Sequence, residues 1–227
     1  LAVATGWMVY TDGNPTPQIY ANASHLPQVR TLADGSVATL DAGTTLSARF
    51  GWRKRELELE RGRMQLQVAA SSRALRVQAG GSSIRDIGTT FQVERLTDGR
   101  VEVALLEGAV EVTSGSAQHT LAPGQQLQVS PSGRIQPGPQ LSTTAAAEAW
   151  PEGRLVFDAT PLSTVVERMN RYGSTPLVIA DPDIADLAVS GTFRAGDTHE
   201  LLSALELGWS IAGQPRKDGA LELRRTY

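Results

Sequence analysis

The chain has 227 residues, 41% hydrophobic and 20% charged, enough for a sizeable core in one domain or two, and its acids and bases are interspersed to a formal net charge of −3. That balance lacks the basic field a phosphate backbone requires, so nucleic acid is set aside as a partner. Without cysteine there are no disulfides, thiolate metal sites or cysteine nucleophile, and no apolar run approaches the roughly 18 residues of a membrane span.

The first residue is Leu1, and no basic segment leads into a signal-type apolar run, so a missing upstream segment is expected. Residues 1–30 read as an extended lead-in with a strand at 7–10. From Gln28 a strand grammar begins, with Val29 and Thr31 before Asp34-Gly35, Val37 and Leu40 before Asp41-Ala42-Gly43, then Leu46 and Phe50. Leu57 and Leu59 alternate with Glu56, Glu58 and Glu60, a turn is expected at Arg61-Gly62, and Met64, Leu66 and Val68 resume the alternation, which predicts a hairpin. Phe91 and Val93 lead through Thr97-Asp98-Gly99-Arg100 to Val101, Val103 and Leu105, a second hairpin whose Asp-Gly suits a type I′ turn. Pro123-Gly124 marks a type II turn before Leu127 and Val129. Short strands between glycine turns predict a β-sandwich or a flattened β-solenoid.

Residues 131–149 have linker composition, and the domains are placed at 1–140 and 150–227 with 141–149 between them. After the linker, Leu155 and Phe157 start a strand, Thr160 caps a helix with Pro161 in its first turn, and Leu162, Val165, Val166 and Met169 form its apolar face before Gly173. Two strands follow, at residues 177–179 and 187–193. A second helix starts at Asp197 with Glu200 in a capping box and ends at Gly208. Trp209 and Ile211, then Leu221 and Leu223 across Lys217-Asp218-Gly219, supply the last strands. The order is βαββαββ, and the whole is mainly β with a small α+β unit.

No catalytic or metal motif emerges, and no metal or cofactor is expected. His25, His119 and His199 lack metal-ligand spacing. Asp181, Asp183 and Asp186 lack the glycine and distal glutamate of a calcium loop, and Gly80-Gly81-Ser82-Ser83 has no following helix or lysine to hold a phosphate. Trp52 with Arg53, Lys54 and Arg55 is the densest basic and aromatic cluster. It reads as a charged strand end, with a protein contact through Trp52, Arg53 and Arg55 as the functional alternative. A second candidate contact is strand addition at a sheet edge of the α+β unit, at Val189, Thr192 and Phe193 or at Leu221 and Leu223. Gly88-Thr89 is a candidate for self-cleavage, because a threonine hydroxyl can attack the preceding carbonyl. The alternative is a bend followed by a strand position.

The succession Leu32-Ala33-Asp34-Gly35-Ser36, the segment from Leu59 to Val68, Ile87-Gly88-Thr89-Thr90-Phe91-Gln92-Val93, Leu106-Glu107-Gly108-Ala109-Val110 and Leu121-Ala122-Pro123-Gly124-Gln125 resembles the FecR-like transmembrane anti-sigma regulators. Residues 150–227, with Gly153-Arg154-Leu155-Val156-Phe157 and Arg171-Tyr172, resemble the short secretin and TonB N-terminal module that closes such proteins. The resemblance implies a periplasmic signalling region, anchored to the inner membrane through an upstream helix outside this sequence. Its partner would be the N-terminal signalling domain of a TonB-dependent outer-membrane transporter, commonly for an iron chelate. A sigma factor would be reached through a cytoplasmic segment also outside this sequence. Some members are processed at the matching Gly-Thr. The rival readings are a periplasmic carbohydrate or cell-wall binding module, which would need Trp7, Trp52, Trp150 and Trp209 as an exposed stacking platform, and a secretin-type assembly component.

Overall fold

The computed structural model describes residues 16–51, 54–86, 88–138 and 149–226. The strand expected at 7–10, Trp52, Arg53 and the centre of the linker lie outside the described residues.

The first region is built from β1 (Gln18–Ala21), β2 (Gln28–Thr31), β3 (Val37–Leu40), β4 (Thr45–Phe50), β5 (Arg55–Gln67), β6 (Leu75–Ala79), β7 (Ser82–Asp86), β8 (Thr90–Arg95), β9 (Val101–Glu107), β10 (Val110–Ser114), β11 (Ala117–Leu121), β12 (Gln126–Val129) and β13 (Ile135–Pro137). These strands form two leaves that share β5. One runs β1-β4-β5-β6-β7-β10-β11 and the other β2-β3-β5-β8-β9-β12-β13. The leaves close over a single apolar core that includes Leu40, Leu46, Leu57, Leu66, Val77, Ile84, Phe91, Val103, Val112 and Leu127. The mainly β expectation holds, and the described part of this region contains no helix.

The hairpin expected at Arg61-Gly62 does not form. β5 runs straight through as one strand of 13 residues. The change of phase that looked like a turn is a bulge: buried positions are odd-numbered up to Leu59 and even-numbered from Met64. The pairing with β4 skips a residue at the same place, between Thr45↔Arg61 and Leu46↔Leu59. Gly62 takes the left-handed conformation (φ +84°) that the extra residue needs. Thr44, fully buried, repairs the interrupted ladder, accepting from the Arg63 N–H at 3.1 Å and donating to the Arg63 carbonyl at 2.9 Å. Each half of β5 thus serves a different leaf, which is how one strand belongs to both.

β8 and β9 pair as expected, but the Asp98-Gly99 turn is not type I′. Gly99 has φ +85°, while Asp98 is not among the residues at positive φ. The Gly99 N–H returns to Leu96 O and the Leu96 N–H reaches Arg100 O, the pattern of a type I turn followed by a left-handed glycine. The Asp98 carboxylate accepts from the Arg100 N–H at 3.0 Å, which favours this turn. Asp34-Gly35 and Asp218-Gly219 repeat it. Pro123-Gly124 forms the type II turn, with the Gln125 N–H on Ala122 O and Gly124 at φ +82°.

The second region starts with a 3-10 turn, Trp150–Glu152, and continues β14 (Arg154–Pro161), α1 (Leu162–Asn170), β15 (Leu177–Ile179), β16 (Ala188–Arg194), α2 (Thr198–Trp209), β17 (Ile211–Pro215) and β18 (Leu221–Arg225), the expected βαββαββ. β14 and β16 form one antiparallel pair, and β15-β18-β17 a three-stranded sheet. Leu162, Val165, Val166 and Met169 of α1 pack with Leu201 and Leu205 of α2 into a second core. Thr160 does not cap α1: it lies in β14, and Pro161 occupies the cap position, where its ring presets φ and no side-chain bond is made. At α2, Asp197 accepts from the Glu200 N–H at 3.0 Å, but the Glu200 carboxylate reaches back to the Arg194 N–H. The helix passes Gly208, includes Trp209, and stops at Ser210 in the left-handed conformation.

Candidate functional site

The two regions meet in a polar joint. Asp41 opens the β3–β4 turn, is 0% exposed, and accepts from its neighbour's Ala42 N–H at 2.8 Å. Tyr172, two residues past α1, is packed in the second core, and its hydroxyl donates to Asp41 Oδ2 at 2.8 Å. Arg171 beside it pairs with Glu94 of β8 at 2.8 Å and approaches Asp41 at 3.6 Å. Arg63, next to the β5 bulge, donates to Gln92 Oε1 at 2.7 Å and lies 3.8 Å from Glu94. Its guanidinium stacks over the Trp150 ring, 4.5 Å from the centroid. Burial raises the Asp41 carboxyl above its usual range and lowers Arg63, while burial and then the Asp41 charge push the Tyr172 phenol up.

This joint is not legible in the sequence: Arg171-Tyr172 stands there only as part of a family signature, and Asp41 only as a turn residue. No local pattern links positions so far apart.

Gly88-Thr89 lies where the chain crosses from β7 to β8. Gly88 has φ +82°, and its N–H donates to Asp86 Oδ1 at 3.0 Å. The buried Thr89 hydroxyl donates a short hydrogen bond to the same oxygen. The β9–β10 turn presses on this peptide, since a Cβ on Gly108 would fall 2.3 Å from the Gly88 carbonyl oxygen. Beside it opens a shallow groove of about 470 Å³, lined in part by Arg73, Arg85, Asp86 and Gly88.

The candidate contact residues are dispersed. Arg55 is not on the surface: it is 2% exposed and holds Asp34 at 2.6 Å, besides donating to Ser36 Oγ and to the Ala69 and Arg73 carbonyls. Leu221 and Leu223 belong to β18, the central strand of its sheet, which has no free edge for an incoming strand. Val189 and Phe193 turn their side chains into the second core, while Thr192 is exposed; among the described residues their strand, β16, pairs only with β14 and keeps one edge open. Trp150 is 1% exposed under Arg63 and offers no stacking face to a glycan, Trp209 is half-buried against the second core, and Trp7 and Trp52 lie outside the described residues. Among the described residues no group of three or more His, Cys, Asp or Glu is arranged to hold a metal.

Fold and site together define a two-region, β-rich protein whose halves are tied by charge. Residues 28–111 match the family model described as FecR protein. Two crystal structures of a candidate anti-sigma factor from Parabacteroides distasonis ATCC 8503, at 2.50 Å and 1.65 Å, share the fold. Each is 23% identical with a TM-score of 0.75, covering 93% and 92% of this chain and 100% of the other. No curated protein matches the chain. No helix among the described residues is long and apolar enough to cross a membrane.

Proposed function

We propose that this chain is the periplasmic signalling region of an inner-membrane anti-sigma regulator. In this reading it binds the N-terminal signalling domain of a TonB-dependent outer-membrane transporter and relays the transporter's state to a sigma factor. The FecR match and the likeness to an anti-sigma factor support the regulatory role. The observation that carries the docking mode is the open edge of β16. Its neighbour β14 carries a bulge between Phe157 and Thr160, with Ala159 at φ +42°, and such a distortion discourages strand addition on that side. Because the Ala195 N–H faces Gly153 O, strand alternation points the Thr192 N–H away from β14. A partner strand would take that donor. Thr192→Pro, which deletes it without touching the β14 ladder, should weaken the complex with the transporter domain at least about tenfold on a sizing column or by calorimetry, roughly 1.4 kcal/mol. Wild-type affinity in this variant would move docking off β16.

The Thr89–Asp86 bond favours a second activity of the same chain, self-cleavage at Gly88-Thr89. The Thr89 hydroxyl oxygen attacks the Gly88 carbonyl carbon as its proton passes to Asp86. The proton moves on to the Thr89 nitrogen, the C–N bond breaks, and an ester joins the two pieces. Water then splits the ester into a Gly88 carboxylate and a free Thr89 hydroxyl and amine. Denaturing gels and mass spectrometry should show fragments ending at Gly88 and starting at Thr89 in wild type and Thr89→Ser, and none in Thr89→Ala. Lasting integrity of all three proteins would leave a structural turn.

A further inference from the structure

We propose that the Asp41–Tyr172 and Glu94–Arg171 contacts form a two-state latch, closed in this structure, whose opening frees the second region to move as a rigid body against the first. Three features of the joint support this, and none depends on the identity of an outside partner.

The two cores are separate. Among the first-region residues described, Ala42 is the one hydrophobic packed on the second core, so what holds the regions face to face is the Tyr172–Asp41 hydrogen bond, the ion pairs of Arg171 with Glu94 and Asp41, and the stacking of Arg63 on Trp150. Small polar interfaces between domains permit relative motion unless apolar burial forbids it.

Two opposing terms act at the joint. Closing the joint gains charge-assisted contacts but buries Asp41 and withdraws most of Arg63 from water, and desolvation of this kind can match the attraction it permits. The upward displacement of Asp41 and downward displacement of Arg63 have the same origin. The Trp150 indole N–H, buried without a partner in the closed form, would gain water on opening.

Opening strands no charge on the first region. Asp41 keeps the Ala42 N–H and the nearby Arg63, and Arg63 keeps Gln92 Oε1 and Glu94. Arg171 and Tyr172 leave together and are free to hydrate. Tyr172 belongs to the second core, so a shift in α1 or its neighbours acts directly on the latch.

Because the chain lacks cysteine, paired labels can be placed without background. Nitroxides would go on Thr120→Cys, exposed on β11, and Leu207→Cys, 90% exposed on α2. Pulsed electron spin resonance should give one dominant interlabel distance in the otherwise native chain. Tyr172→Phe combined with Arg171→Gln should raise the share of a second, displaced distance at least about tenfold, with far-ultraviolet circular dichroism unchanged because phenylalanine keeps the ring of Tyr172 in the second core and Arg171 lies outside it. Arg171→Gln alone, an exposed change harmless to the core, should have an intermediate effect. A distance distribution identical to the native one in the double variant would overturn the proposal, as would a native distribution already broad and insensitive to both changes.

Discussion

Replacing Arg55 with alanine should cost about 3–5 kcal/mol, read as a loss of urea midpoint at constant slope, although it sits in a basic run that reads as surface. The Asp34 side chain is 3% exposed and that of Arg55 1%, and the guanidinium supplies two bonds to Asp34 Oδ2, at 2.6 and 2.8 Å. Deleting it leaves a buried carboxylate with only the Ser36 N–H and hydroxyl as donors, and the Ala69 and Arg73 carbonyls each lose a donor. The penalty comes mostly from the stranded charge. Adding Asp34→Asn to the same variant should therefore recover some of the loss. Lys54→Ala, next door but 69% exposed in its side chain, should stay within about 0.5 kcal/mol of wild type.

Gly62→Ala should be comparably severe, about 3–5 kcal/mol. The backbone there is left-handed, which costs a side chain roughly 1–2 kcal/mol on its own. A Cβ would also meet Thr44 Oγ1 at 2.5 Å and Thr44 Cα at 2.8 Å, so the clash is with main chain as well as with a hydroxyl. Relief requires Thr44 to move, and Thr44 is what satisfies the Arg63 backbone at the bulge. Gly219→Ala is the control: its φ is +86°, with no atom within 4 Å of a new Cβ, so the conformational cost alone should appear. Equal losses in the two variants would show that Thr44 yields without penalty and that the bulge is soft.

Much of this fold is written in local pattern. The alternation around Leu57, Leu59, Met64 and Leu66 names the core-facing residues correctly, because burial on one face of a strand has a period of two whatever lies between the arms. The same pattern misreads Gly62, since a glycine that reverses the chain and one that shifts its phase by a residue look alike in sequence. The distinction lies in the partners: β4 and β6 on one half of β5, β3 and β8 on the other. Helix faces in the second region were legible for the same reason. The central place of β18 was not, because a short apolar strand does not announce how many neighbours it has. Arg55 was misplaced because burial of a charge depends on a carboxylate 21 positions away in sequence. The joint at Asp41 and Tyr172, 131 positions apart, is the extreme case.

The sharing of β5 between two leaves bears on what a break at residue 88 would do mechanically. β8, which follows that position, is zipped along β5, which precedes it, through Gly62↔Arg95 to Gln67↔Thr90, and β10 is likewise zipped to β7. A severed chain would therefore remain interlocked, each fragment supplying strands to both leaves and side chains to the common core. A pull on its two far ends would have to tear whole ladders rather than snap a single bond. Such a nicked assembly would hold under thermal agitation yet yield to sustained tension, and its rupture force would be set by the β5–β8 and β7–β10 seams.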